Sequence, residues 1–200
     1  MTPRLAVLYL VSRRVPAAFA AVIALGAALR VALIWDWDSY GALQLPFVLE
    51  TGCATVIAAA IASPFGDPER ATGRRLPVLR LCATLALTCG TAVALTAAGT
   101  GAHLVGGFLD AARNLVGGTG IGLACAVVLG GGMAWTGPAA YLLIGTYSLY
   151  AVWHGGAASG PWIWPARPPE DLGAWLCAGL VFAAGLALST VRGARGHAAD

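Results

Sequence analysis

Long apolar stretches separated by short polar ones dominate the pattern along this chain. Six of these stretches approach the roughly 20 residues that a helix needs to cross about 30 Å of hydrocarbon. The predicted spans are residues 15–35, 43–63, 79–98, 115–133, 138–153 and 172–191. The fifth is short for a full crossing, and only residues 134–137 separate it from the fourth. The pattern predicts an all-α polytopic membrane protein with about six transmembrane helices, forming one transmembrane domain over residues 1–200.

The composition argues against a catalytic domain outside the bilayer. Hydrophobic residues make up 58% of the chain and charged residues 10%, whereas soluble domains are about 25% charged. All twelve basic residues are arginine, so the chain lacks the lysine that a P-loop ATPase or a Schiff-base enzyme needs. The sequence offers no catalytic pair of carboxylates, no Ser/His/Asp arrangement and no metal-ligand cluster. We therefore expect neither an enzyme nor a metal protein.

The arginines predict how the chain is oriented in the membrane. Most of them flank the same ends of the predicted spans: Arg4, Arg13, Arg14, Arg70, Arg74, Arg75, Arg80, Arg192 and Arg195. By the positive-inside rule both termini and the 64–80 loop are cytoplasmic. The Ala-, Gly-, Val-, Leu- and Arg-rich composition is typical of a high-GC bacterium, which indicates a bacterial plasma membrane. All tryptophans except Trp135 then lie near the outer face, as an aromatic belt would.

Small residues recur at every fourth position in three predicted spans, which is typical of close helix packing. The three seams are Ala20, Ala24, Ala28 and Ala32; Ala54, Ala58 and Ala62; and Gly118, Gly122, Ala126 and Gly130. The five cysteines also lie in apolar stretches, and their odd number indicates no disulfide framework. We interpret them as small packing residues.

Two ionisable residues fall inside predicted spans. Helix rise places Arg30 about 8 Å and Glu50 about 10 Å below the outer ends of their spans. Since an unpaired charge at that depth is costly, we predict an Arg30–Glu50 ion pair that joins the first two spans. The pair could line a translocation path or be purely structural, and Arg30 could instead extend outward to the interface. Asp110 and Arg113, on the outer connector, are predicted to form a solvated surface pair.

The most informative polar segment is the cytoplasmic loop 64–80. Glu69, Gly73, Leu76, Pro77 and Arg80 occur there in the order found in a short coupling helix between the second and third spans of one transporter family. The chain thereby resembles the ABC-2 type permeases, which have six spans, both ends inside and an interfacial helix before the first span. Residues 5–11 are amphipathic and match that last feature.

The resemblance implies the permease subunit of an ABC-type exporter. Two such subunits, identical or paralogous, would enclose a path through the lipid bilayer. Each would dock a separate ATPase that binds the ATP, so no cofactor is expected on this chain, and no nucleic acid is expected as a partner. The expected docking residues are Glu69, Arg70, Gly73, Arg74, Arg75, Leu76, Pro77 and Arg80.

Two other classes of protein stay open. A substrate-binding membrane subunit of an energy-coupling-factor importer has a similar length. It would need a polar ligand pocket under the outer loops, to which Asp36, Asp38, His154 and Trp162 could contribute. A structural subunit of a larger membrane complex is the third class.

Overall fold

The computed structural model describes residues 15–35, 39–61, 75–101, 107–156 and 160–192, and in 39–43 and 75–76 it describes the backbone alone. The helices are α1 (Val15–Ile34), α2 (Ser39–Ile61), α3 (Arg75–Gly99), α4 (Gly107–Val128), α5 (Thr136–Trp153) and α6 (Leu172–Arg192). Short 3-10 turns occupy Gly131–Met133 and Trp164–Ala166. The described chain contains no strand. The protein is therefore all-helical, as predicted.

Five of the six helices are long and apolar enough to span a membrane, and α5 is the exception. With 18 residues, α5 is the shortest of the six. The first and last predicted spans match α1 and α6 almost residue for residue. The fourth prediction is displaced, because α4 begins at Gly107 and ends at Val128 rather than covering 115–133. The Leu-Asp-Ala-Ala-Arg-Asn run assigned to an outer connector is thus part of α4.

Helix directions follow from two arginine contacts. Arg30, near the end of α1, reaches carbonyls at the end of α3, so these helices run parallel. Arg80, near the start of α3, reaches a carbonyl near the end of α6, so these two run antiparallel. The start of α1 and the end of α6 consequently lie at the same end of the bundle. We call this the first end and the opposite one the second end.

Helix α4 is the centre of the bundle and contacts α2, α3, α5 and α6. A Cβ added to Gly118 would lie 3.1 Å from Ala54 Cβ, and one added to Gly122 would lie 2.6 Å from Ala58 Cβ. The predicted seams of the second and fourth spans therefore pack against each other. The seam of the first span is wrong, because Ala20, Ala24 and Ala28 face outward and α1 buries Ala18, Val22, Gly26 and Leu29 instead.

The α4–α6 contact is closer still, since it brings one backbone against another. A Cβ on Gly120 would lie 2.5 Å from Phe182 Cα and 2.6 Å from Phe182 N. Backbone atoms of a packed helix cannot rotate aside as a long side chain can. Only glycine at position 120 therefore allows α6 to approach α4 this closely.

All five cysteines are free, and they differ in their surroundings. Cys53 is buried in the main core, and Cys125 and Cys177 are half-buried. Cys82 and Cys89 lie on the outward face of α3. The packing role predicted for the cysteines fits Cys53 and does not fit Cys82 or Cys89.

We expect Gly120→Ala to lower the free energy of unfolding by about 1–3 kcal/mol, the usual cost of overpacking. Gly179→Ala is the matched control, because a Cβ there meets no described atom within 4 Å. Alanine favours helix over glycine by about 1 kcal/mol, so the control should be neutral or stabilising. Thermal unfolding of the detergent-solubilised protein measures both. Equal effects at the two positions would contradict a close α4–α6 contact.

Candidate intramembrane polar site

Glu50 lies at the middle of α2, with residues 39–49 of the helix before it and 51–61 after it. Helix rise gives about 16 Å to either end of α2. The side chain is 2% exposed, so it is enclosed by protein rather than turned toward lipid. It lies deeper than predicted because α2 begins at Ser39 instead of residue 43. Carboxyl groups at this depth in a membrane protein are rare and usually functional.

Asn114 of α4 is the hydrogen-bond partner of Glu50. Its Nδ2 donates to Glu50 Oε2 over 2.9 Å, and both side chains are buried. The other amide atom, Asn114 Oδ1, is enclosed and has no hydrogen-bond partner. Asn114 was missed in the sequence because it was placed outside the fourth span. The close α2–α4 contact through the small residues is what brings this pair together.

Arg113, the residue before Asn114, is fully buried and binds three groups at the second end of the bundle. Its Nη2 contacts the carboxylate of Asp110 and donates to the carbonyl of Arg167 at 2.9 Å. Its Nη1 donates to the carbonyl of Pro168 at 2.7 Å. The prediction of a solvated Asp110–Arg113 surface pair is therefore wrong. The pair is internal because α4 begins eight residues earlier than predicted.

The contacts of Arg113 hold the segment 160–171 over the second end. We call this the cap segment. Trp164 of the cap segment is buried, stacks on Tyr141 with ring centroids 4.4 Å apart, and lies against Gly117. Tyr141 Oη donates to the carbonyl of Trp162 at 2.8 Å. Trp164 therefore fills a space inside the bundle and is not part of an interfacial belt, unlike the exposed Trp35, Trp153 and Trp162.

Asp171 fixes the other side of the cap segment where α6 begins. Its Oδ1 accepts a hydrogen bond from the backbone N–H of Ala174, and its Oδ2 accepts one from Arg167 Nε at 2.7 Å. The Ala174 N–H and then Arg167 hold the pKa of the Asp171 carboxyl below its ordinary value. Its stabilising contribution is thus present at neutral pH and is lost as the pH falls through the lowered pKa.

Asp110 and Arg113 also act electrostatically on Glu50. Two carboxyl groups therefore share the neighbourhood of one guanidinium. Arg113 donates hydrogen bonds to Asp110 and to two carbonyls, so the carboxylate that pairs with its charge is that of Asp110. Glu50 has an amide, and no cation, as its hydrogen-bond partner.

The predicted Arg30–Glu50 ion pair is wrong. Arg30 Nη1 donates to the carbonyls of Ala98, at 3.3 Å, and Thr100. These carbonyls lie at the end of α3, where the helix dipole favours a cation. Helix rise placed both residues inside their spans. It could not show which helix each side chain faces.

The first end carries a second polar feature, a stripe along the inner face of α3. Arg80 is 7% exposed, and its Nη1 donates to the carbonyl of Ser189 near the end of α6 at 3.4 Å. Thr84, Thr88 and Thr91 follow on the same face and are buried. The stripe was missed, although threonines spaced three or four apart in one span were a visible signal.

Most of the predicted docking residues lie outside the described part of the chain. This holds for Glu69, Arg70, Gly73 and Arg74 and for the side chains of Arg75 and Leu76. Pro77 is exposed in the first turn of α3. Arg80 is buried against α6, so its assignment to an exposed docking surface is wrong.

The described chain includes two of the four residues named for an importer pocket, His154 and Trp162. Asp36 and Asp38 lie outside it. His154 is exposed at the end of α5, with Nδ1 2.9 Å from the carbonyl of Tyr150 in its own helix. Trp162 is exposed on the cap segment, and its carbonyl is bound by Tyr141.

Comparison with known proteins yields no relative: no protein-family model, no curated protein and no solved structure matches this chain.

If Arg30 and Glu50 have separate partners, their substitutions should be additive. We expect Arg30→Met to cost about 1.5–3 kcal/mol, the value of hydrogen bonds made by a charged group. Combining it with Glu50→Gln should give the sum of the two effects within about 0.5 kcal/mol. The free energies of unfolding of the wild type, the two single variants and the double variant complete the cycle. A coupling energy above about 1 kcal/mol would support an Arg30–Glu50 ion pair after all.

Loss of Arg113 should release the cap segment. We expect Asp110→Asn combined with Arg113→Met to speed amide hydrogen exchange in residues 160–171 by about tenfold or more, because two charge-assisted bonds to carbonyls disappear. The asparagine avoids leaving an unpaired carboxylate behind. Glu170→Gln, an exposed change within the same segment, is the control and should exchange like wild type. Unchanged exchange in the double variant would show that Arg113 does not hold the segment.

Proposed function

We propose that this protein is the permease subunit of an ABC-type exporter in a bacterial plasma membrane. It docks a separate ATPase through the 64–80 loop on the cytoplasmic side, which is the first end of the bundle. A second permease subunit, identical or paralogous, completes the path. The proposal rests on the resemblance of the loop to the ABC-2 coupling helix and on how the loop is joined to the bundle.

The observation that carries the proposal is that both helices bordering the loop are fixed inside the bundle. Ala58, Ala60 and Ile61 are buried at the end of α2, and Arg80 binds α6 from the start of α3. A force that an ATPase applies to the end of α2 or the start of α3 would therefore act on helices that are packed into the bundle. Through Arg80 it would also reach α6.

The same connection links the loop to the intramembrane site. Glu50 and the end of α2 belong to one continuous helix, and Asn114 lies on α4, which α2 and α6 both contact. Closely packed helices change between discrete arrangements rather than deforming gradually. Displacement of α2 against α4 would therefore separate Glu50 from Asn114 and open the closed interior.

Purification of the full chain in mild detergent from its native membranes should retain an ABC ATPase subunit, detected by mass spectrometry. The variant that combines Glu69→Arg, Arg74→Glu and Arg75→Glu should bind that ATPase on the order of tenfold more weakly. Reversal replaces attractive pairs with like charges, whereas a single exposed pair is worth only about 0.2–1 kcal/mol and could be silent.

Arg195→Glu is the matched control, since it reverses one charge beyond α6 and outside the loop. It should accumulate in the membrane and retain the ATPase as wild type does. The proposal fails if the wild-type protein carries no ATPase subunit. It fails equally if the triple variant binds the ATPase and supports substrate-stimulated hydrolysis at the wild-type level.

A further inference from the structure

One hydrogen-bonding atom of the Glu50–Asn114 pair has no hydrogen-bond partner. The carboxamide of Asn114 offers a donor and an acceptor, and only the donor is used, toward Glu50 Oε2. Asn114 is 5% exposed, and its Oδ1 is enclosed without a partner. A buried acceptor left in this state costs about 1–3 kcal/mol. A donor is therefore missing at Asn114 Oδ1.

An ionised carboxylate cannot supply that donor, because it only accepts hydrogen bonds. A carboxylic acid can, since its O–H donates while its carbonyl oxygen accepts. An acid and a carboxamide side by side form two antiparallel hydrogen bonds: amide N–H to acid C=O, and acid O–H to amide C=O. The first is present as Asn114 Nδ2 to Glu50 Oε2. The second requires a proton on Glu50 Oε1.

We propose that Glu50 and Asn114 form a proton-binding site in the middle of the bundle, occupied by one proton in this closed arrangement. The proton sits on Glu50 Oε1 and is donated to Asn114 Oδ1. The site takes a proton from water and returns it to water, so no other reactant is needed. This inference does not depend on the docking of an ATPase.

The hydrogen bonds of the charged and titratable groups around α2 are consistent with a protonated, uncharged Glu50. Asp110, Arg113 and Cys53 interact electrostatically with it, and Arg113 is bonded to Asp110. The other helices packed against α2 carry Arg30, Arg80 and Tyr141, and each of these donates a hydrogen bond to a carbonyl outside α2. A buried carboxylate with no cation at its oxygens is strongly disfavoured, whereas the protonated acid is tolerated.

Proton binding is thereby linked to closure of the bundle. Water that enters when α2 separates from α4 would solvate the carboxylate and favour release of the proton. Closing would require a proton to be taken up again. Because linkage is reciprocal, acidic conditions favour the closed arrangement and alkaline conditions favour the open one.

Infrared spectroscopy of protein carrying ¹³C-labelled glutamate tests the proposal directly. The chain has three glutamates: Glu50, Glu69 and Glu170. Substitution of Glu50 and of Glu170, one at a time, assigns the labelled bands to individual residues. We expect a label-sensitive carboxylic-acid C=O band at pH 7 that Glu50→Gln abolishes and Glu170→Gln retains. Carboxylate bands alone would overturn the proposal.

The stability of Glu50→Gln gives a second test, since glutamine reproduces the neutral acid in shape and hydrogen bonding. Its Nε2–H can donate to Asn114 Oδ1 while its Oε1 accepts from Asn114 Nδ2. We expect a midpoint of thermal unfolding within about 4 °C of wild type at pH 6. The folded wild type would bind one proton more than the unfolded chain, so its midpoint should fall relative to Glu50→Gln as the pH rises. A variant that fails to fold, or parallel pH profiles, would show that Glu50 does not hold a proton.

Discussion

A polar group enclosed among apolar helices has no water to satisfy its hydrogen bonds, and the architecture of this protein follows from that constraint. Three arginines inside the bundle each donate to backbone carbonyls of other elements. Arg30 does so at the end of α3, Arg80 at the end of α6 and Arg113 on the cap segment. Each contact joins elements distant in sequence. The arginines thereby fix helix ends that apolar packing alone would leave free to slide.

Glycines in α4 determine how closely the neighbouring helices approach its polar side chains. The amide side chain of Asn114 reaches Glu50 because α2 approaches α4 closely, and Gly118 and Gly122 allow that approach. A Cβ at Gly120 or Gly122 would overlap with atoms of α6 or α2, and one at Gly118 would require a shift of a few tenths of an ångström. In α4 the small residues thus allow the close helix packing that the buried polar contacts require.

The sequence predicted the positions of the helices, which depend on local composition. It did not predict which side chains face each other, because that depends on the rotation of each helix about its axis. Apolar length located the helices, and four-residue spacing identified the seam between α2 and α4. Spacing failed for α1, because alanine is so frequent there that the alternate face, with Val22 and Gly26, packs as well. Glu50 was identified as a special residue, but its partner was not. Asn114 adjoins Arg113 and Asp110, and a run of three polar residues within six resembles a connector until the glycines after it are known to be inside the bundle.

The contact between Arg80 and Ser189 has a consequence for biogenesis. The start of α3 meets a carbonyl of α6, 109 residues further along the chain, and Gly120 and Arg113 of α4 likewise face residues beyond 160. During synthesis α3 and α4 are therefore made well before the residues that they contact. A chain that stops before α6 would lack both the carbonyl that Arg80 binds and the helix that packs against Gly120.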